Sequence, residues 1–242
     1  MTKRRFAVFD IDGTLIRWQL YHAIADELAK SGHIDAGTYA NIREARSAWK
    51  KRTNDDSFKA YEEQLVTAYR LLLTKLTVPR FELAATAVFE EYKDQVYVFT
   101  RDLIKELKKK GYVLLAISGS QSEIVQKIAK YYGFDDFIGS YYHREKGRFT
   151  GKIDLTVFSK DKVLQELIDK HILTTEGSIA VGDSNSDIPM MELVQRPIAF
   201  NPERTLLAHA QKAHWEVVVE RKNVIYELKE RNDSYVLAQT KH

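Results

Sequence analysis

The sequence predicts an α/β fold: a three-layer, Rossmann-like core on a parallel sheet, with an inserted all-helical cap domain. Three observations lead there. After residue 98, short apolar runs ending in Ser, Gly or Asp alternate with helical periodicities, the pattern of a parallel sheet covered on both faces. A similar run opens the chain, and between the two regions residues 18–97 show only three- and four-residue apolar spacings. Residues 1–17 and 98–242 are therefore assigned to the core and 18–97 to the cap.

Phe6 to Ile11 is the first strand, and Gly13 behind it gives turn freedom. The insertion follows, with Ile24 and Leu28, then Leu65, Tyr69, Leu72 and Leu76, then Phe81, Ala85, Val88 and Tyr92 marking helical faces. The core resumes with a helix carrying Leu103, Ile104 and Leu107, stopped by a lysine run and Gly111. Next come a strand at Tyr112 to Ile117, a helix through Ile124, Val125, Ile128 and Ala129 that stops at Gly133, and a short strand near Phe137 and Ile138. Tyr141 to Val157, centred on Lys146 and Gly147, reads as a hairpin. A helix from about Lys160 presents Val163, Leu164, Leu167 and Ile168. Short strands at Ser178 to Val181, Ile198 to Phe200 and Glu216 to Val219 complete the sheet, and the polar residues from about Arg231 are expected to fray.

Composition narrows the chemistry. The 242 residues are 44% hydrophobic and 29% charged, enough for a large core. Thirty-seven basic and 34 acidic side chains leave a net charge of +3, spread along the chain, which indicates neither a nucleic-acid platform nor an acidic tail. With no cysteine, thiol nucleophiles, disulfides and thiolate zinc sites are excluded. The apolar run after Lys3, Arg4 and Arg5 meets Asp10 too early for a signal peptide, and no stretch approaches the ~20 apolar residues of a membrane span, so a cytoplasmic protein without a membrane partner is expected.

Three strand ends carry polar groups that this topology brings to one sheet edge: Asp10 and Asp12; Ser118 and Gly119; Gly182, Asp183 and Asp187. Lys160 opens a helix at the same edge. Carboxylates so gathered stay ionised when a cation shares the site, and a few hard oxygen ligands favour Mg2+. Lys160 and a metal would offset the charge of a phosphoryl group, while the Ser118 hydroxyl and nearby backbone N–H groups donate to its oxygens. Asp10 can then attack phosphorus, and Asp12, two residues on and facing the same side, can protonate the leaving oxygen and later deprotonate water.

Four segments, Phe9-Asp10-Ile11-Asp12-Gly13-Thr14, Ser118-Gly119-Ser120, Lys160 with Leu164, and Val181-Gly182-Asp183-Ser184-Asn185-Ser186-Asp187, resemble in order and spacing the motifs of the haloacid dehalogenase superfamily of phosphohydrolases. The resemblance covers essentially the whole chain, and the insertion point looks like the branch containing phosphoserine phosphatase. It implies Asp10 as nucleophile and metal ligand, Asp12 as acid/base with its carbonyl on the metal, Thr14 as support, Ser118, Gly119 and Lys160 as phosphate ligands, Asp183 as metal ligand and Asp187 as an acid behind it. The substrate implied is a small soluble phosphate ester. Phosphoserine phosphatases usually carry Ser, Glu and Asn where this chain has Gly13, Gln19 and Ser186, which disfavours phosphoserine. Transfer of the phosphoryl group to another acceptor, and a binding protein that keeps the site without turnover, remain open alternatives.

Each residue also has a plainer reading. Asp-x-Asp-Gly occurs in turns and calcium loops, but Leu15, Ile16 and Trp18 follow where a calcium loop needs oxygen ligands. Ser118-Gly119-Ser120 suits a helix N-cap, and Asp187 suits a helix N-terminus. In the cap, Arg43, Arg46, Lys50, Lys51 and Arg52 read first as a solvated face, while Trp18, Gln19 and Tyr21 are candidates for the substrate entrance. His143, His171, His209 and His214 have no metal-ligand spacing and read as surface or packing residues.

Overall fold

The structure, a computed structural model, describes residues 3–51, 57–231 and 234–241. The chain divides into two compact units, residues 1–19, 92–140 and 155–242, and residues 20–91 and 141–154.

The first unit is built on eight strands: β1 (Arg4–Phe9), β2 (Val113–Gln121), β3 (Asp136–Glu145, through its first half), β5 (Leu173–Gly182), β6 (Arg196–Phe200), β7 (Glu216–Arg221), β8 (Val224–Arg231) and β9 (Ser234–Lys241). Their order is β3-β2-β1-β5-β6-β7-β8-β9, parallel through β7 and antiparallel for the last two. β1 lies between β2 and β5, with Phe9 opposite Ala116 on one side and Val181 on the other. The carboxyl ends of three central strands therefore lie side by side.

Side-chain alternation divides the sheet between two faces. Phe6 and Val8 of β1 and Val113, Leu115 and Ile117 of β2 pack with α7 (Lys160–His171), α8 (Ile188–Met191) and α9 (Arg204–Lys212) through Leu164, Leu167, Met190, Met191, Leu206 and Ala210. Intervening residues Ala7, Phe9, Leu114 and Ala116 are equally buried and face the opposite layer. There α5 (Val98–Lys109) buries Leu103, Ile104 and Leu107, and α6 (Ser122–Tyr132) buries Ile124, Val125 and Ile128. Each such aliphatic side chain contributes about 1.5–3 kcal/mol relative to exposure.

Two differences from the sequence reading have local causes. β1 ends at Phe9 rather than Ile11, because the Ile11 carbonyl turns to accept the N–H groups of Leu15 and Ile16. The polar stretch from about Arg231, expected to fray, supplies β9, which pairs antiparallel with β8, and Tyr235 Oη donates to the Trp215 carbonyl at 2.6 Å. The sequence reading also leaves α9 unmarked.

The second unit contains α1 (Leu20–Lys30), α2 (Ala36–Lys50), α3 (Ser57–Leu73) and α4 (Val78–Tyr92, through Glu91), together with the hairpin of the second half of β3 and β4 (Arg148–Asp154). The hairpin thus groups with the helices, although the sequence reading assigns it to the core. Phe149 meets Phe81 edge-on at 5.4 Å, Tyr142 meets Tyr69 at 6.2 Å, and the Gly147 carbonyl accepts the Val78 N–H. Of the basic cluster, Arg46 is committed inside the unit, with two 2.8 Å bonds to Asp26 and one of 2.9 Å to Tyr61 Oη. Arg43, Lys50 and Lys51 are exposed, and Arg52 lies outside the described residues.

His22 is buried in this unit against the Tyr61 ring, 5.0 Å between centroids. Burial, aided by Arg46 and opposed by Asp26, pushes its pKa from 6.5 down to about 3. The folded state therefore binds fewer protons than the unfolded one in that window. His22 contributes stability that is complete above about pH 6.5 and is lost as the pH falls toward 3, with a slope of up to about 1.4 kcal/mol per pH unit. Urea unfolding at about pH 7 and about pH 5 should show this loss, and His22→Phe should flatten it; an equal loss in the variant would contradict the assignment.

Candidate active site

Every candidate of the four sequence segments lies in the first unit. Beyond β1 the chain folds into a tight loop in which Gly13 adopts φ +83° and donates its N–H to the Ile16 carbonyl. The positive φ favours glycine at this position, where a Cβ would press on the Asp183 carboxylate. The loop is anchored from α5 by Thr100, whose buried hydroxyl donates to the Thr14 carbonyl at 2.8 Å. Thr14 in turn donates to Asp183 Oδ1 at 3.2 Å.

After β5, the loop from Gly182 is organised by Asp187. Its Oδ2 accepts the backbone N–H groups of Asp183 and Ser184 and the Ser184 hydroxyl at 3.0–3.1 Å, and its Oδ1 accepts the Lys160 ammonium at 2.6 Å. A methyl group on Gly182 would come within 2.5 Å of Asp187 Cβ, which explains the glycine. Asp187 thus closes a capping box with Ser184 and shapes the loop that presents Asp183.

Lys160 is 2% exposed and bridges Asp187 and Asp10, donating to Asp10 Oδ1 at 2.7 Å. Burial alone would push its pKa down, but the two carboxylates outweigh that and hold it above the usual lysine value, so it remains an ammonium. Burial pushes the Asp10 carboxyl up from 3.8 to about 8; Lys160 opposes this, and Asp187 and Asp12 add to it. Burial, followed by the charges of Asp10 and Asp187, likewise holds the partly buried Asp183 well above the ordinary carboxylate range.

Oxygens of Asp10, Asp183 and Asp187 lie within 4.8 Å of one another, and this is a donor set that suits a hard divalent cation. Such an ion would relieve the repulsion that one ammonium leaves uncompensated. Asp187 already spends both oxygens on four donors, which leaves Asp10 and Asp183 as the carboxylates best placed to hold the ion.

Asp12, whose charge acts on Asp10, is held by hydroxyls. Its Oδ2 accepts the Ser118 hydroxyl at 2.6 Å and its Oδ1 accepts the Ser120 hydroxyl at 3.0 Å, with all three residues buried. Ser118 Oγ also accepts the Ser120 N–H, and the Gly119 carbonyl accepts the Ser140 hydroxyl at 2.7 Å. The serines are not the N-cap of α6, a position that Gln121 takes because β2 runs on through that residue. Trp18 and Gln19 are half-buried in the first unit, whereas Tyr21 belongs to the second and packs its ring on Tyr69 at 4.6 Å. The sequence reading missed Thr100 and the bond from Ser120 to Asp12. Ser120 was detectable, since residues two apart on a strand share a face; Thr100 carried no signal.

A family model of haloacid dehalogenase-like hydrolases matches residues 7–192. A phosphoserine phosphatase of Archaeoglobus fulgidus is 28% identical over 207 residues, 84% of this chain and 54% of that protein. The chain thus spans about half the length of that relative. A histidinol-phosphatase of Neisseria meningitidis serogroup C is 25% identical over 229 residues, 89% of this chain and 98% of that protein. Among solved structures, a Bordetella pertussis Tohama I protein of unknown function shares the fold with TM-score 0.72 at 24% identity, covering 89% of this chain and 98% of its own.

Proposed function

We propose, for a chain that belongs to the haloacid dehalogenase-like hydrolase family, a Mg2+-dependent phosphatase that cleaves a small soluble phosphate monoester through a phosphorylated Asp10. The observation that carries this reading is the buried Asp10 carboxylate, fixed by Lys160 at 2.7 Å and grouped with Asp183 and Asp187 beside the hydroxyl-bound Asp12. Groups suited to act as nucleophile, fixed cation, metal ligand and acid/base lie in one unit, which supports the reading. Named relatives acting on phosphoserine and on histidinol phosphate support a small ester as substrate. Gln19, at the position of the usual phosphoserine-reading Glu, disfavours phosphoserine itself.

In the first step an Asp10 oxygen forms a bond to phosphorus as the ester oxygen leaves, and Asp12 gives that oxygen its proton. In the second, Asp12 takes a proton from water, the water oxygen bonds to phosphorus, and the bond to Asp10 breaks to return the carboxylate and release phosphate. Lys160, Ser118 and the backbone N–H of Gly119 hold the phosphoryl oxygens as charge shifts onto them. Asp10, Asp183 and the Asp12 carbonyl would hold Mg2+, which supplies positive charge to the phosphoryl group when bound. Phosphate release from a panel of monoesters, including phosphoserine and histidinol phosphate, should depend on Mg2+ and stop on chelation. No hydrolysis of any ester, or quantitative transfer to an added alcohol, would overturn the reading.

Mg2+ binding should also show itself without turnover. In metal-free protein the Asp10 carboxyl has a folded pKa of about 8 against 3.8 unfolded, so the folded state binds the extra proton between those values and loses stability as pH rises through them. With Mg2+ bound, the Asp10 carboxylate would hold the ion in place of that proton. The stabilisation by Mg2+, read as a rise in Tm, should be larger at about pH 8.5 than at about pH 6; a rise independent of pH would contradict the assignment.

A further inference from the structure

We propose that Ser120 is a positioning residue for Asp12: it holds that carboxylate while the Ser118 hydroxyl turns away to the phosphoryl group. The inference rests on the phosphatase reading above and gives a role to a side chain that the reading leaves unused.

A serine hydroxyl has one proton to donate. In the structure the Ser118 proton goes to Asp12 Oδ2 at 2.6 Å, and Ser118 Oγ is at the same time the acceptor of the Ser120 N–H at 2.9 Å. Ser118 cannot give that proton to a phosphoryl oxygen and still donate to Asp12. Engaging the substrate therefore removes one hydroxyl from Asp12 just when Asp12 must be held for proton transfer.

Ser120 meets that need. Its hydroxyl donates to the other oxygen, Oδ1, at 3.0 Å, and the side chain is 3% exposed, so water has little access to take its place. Its place is set by the strand: it lies two residues after Ser118 on β2, on the same face, and Gln121 pairs with Ser140 while the Ser140 hydroxyl bonds the Gly119 carbonyl. Lys160 is committed to Asp10 and Asp187. With Oδ1 anchored by Ser120, departure of Ser118 ends its bond at Oδ2, the oxygen that then exchanges the proton. Asp12 gives and later regains the proton, and Ser120 exchanges none.

The test compares wild type, Ser120→Ala, Asp12→Ala and the double variant with Mg2+ and one hydrolysed ester. Loss of one hydrogen bond that holds the acid/base should lower kcat about tenfold. KM and the inhibition constant of inorganic phosphate should stay within about twofold, because Ser118 and Lys160 still hold the anion. In the Asp12→Ala background, Ser120→Ala should cost nothing further. The proposal is overturned by an unchanged kcat, by a loss carried by KM and phosphate inhibition, or by an equal further loss without Asp12. A wild type with no Mg2+-dependent hydrolysis would sink the functional reading and this inference with it, whereas an active wild type with an indifferent Ser120→Ala variant sinks only the latter.

Discussion

Asp10→Asn is expected to lower kcat by about 10⁴-fold or more, because an amide oxygen is a poor nucleophile toward phosphorus and no other carboxylate of the site is free to replace it. Asp183 is bonded to Thr14, Asp187 is committed to Lys160 and the loop after β5, and Asp12 is engaged by two hydroxyls. The fold should tolerate the change. Burial and the neighbouring carboxylates already hold the Asp10 carboxyl at about 8, so removing its charge relieves repulsion in metal-free protein. Steady-state kinetics together with thermal unfolding at alkaline pH without Mg2+ should show lost turnover and a Tm that is unchanged or higher. Wild-type turnover in the variant would remove Asp10 from the mechanism.

Lys160→Met should damage activity and stability together. The ammonium is the counter-charge of two buried carboxylates at 2.7 and 2.6 Å, and its side chain is 2% exposed. Breaking a buried ionic group by removing one partner costs about 3–5 kcal/mol, since the remaining charges stay desolvated. The loss should shrink as the pH falls through about 8, where the Asp10 carboxyl takes up a proton. Turnover should fall by a further about 10²–10³-fold measured per folded molecule, the size expected for removing one fixed charge from a developing oxyanion. Denaturant unfolding at two pH values and kinetics on the folded fraction measure the two effects separately. A variant as stable as wild type would mean that the Asp10–Lys160–Asp187 bridge does not hold the site together.

These effects depend on residues whose convergence was visible in the sequence, and the reason is physical. A strand buried on both faces reads as a short apolar run, so Ala7 to Phe9, Leu114 to Ile117 and Ile179 to Val181 announce themselves, and the first polar residue beyond each run falls at the carboxyl edge. The outer strands gave no such signal. In β8, Ile225 is buried while Glu227 and Lys229 are part of the same ladder, so no apolar run marks the segment although it pairs with β9. The hairpin at Tyr141 to Asp154 was legible as a hairpin, but its grouping with the helices depends on Phe149 meeting Phe81 and Tyr142 meeting Tyr69, long-range contacts that no local pattern encodes.

The site was legible in the same uneven way. Acidic residues at strand ends mark themselves by type and position. Their support does not: the closeness of Gly182 to Asp187, the hold of Thr100 on the Thr14 carbonyl and the occupation of both Asp187 oxygens are properties of packing. Asp187 shows the difference best. By sequence it is one more acid near a metal, whereas by geometry it is the bracket that fixes Lys160 on one side and the Asp183 loop on the other.

The central claim is that Asp10 carries the phosphoryl group between ester and water. A single turnover with a radiolabelled phosphate ester and Mg2+, quenched in acid and digested, tests it most directly. Label should appear transiently on the peptide containing Asp10, be released by hydroxylamine, and be absent from Asp10→Asn. An active wild type that never retains label, or that retains it on a peptide lacking Asp10, would contradict the account.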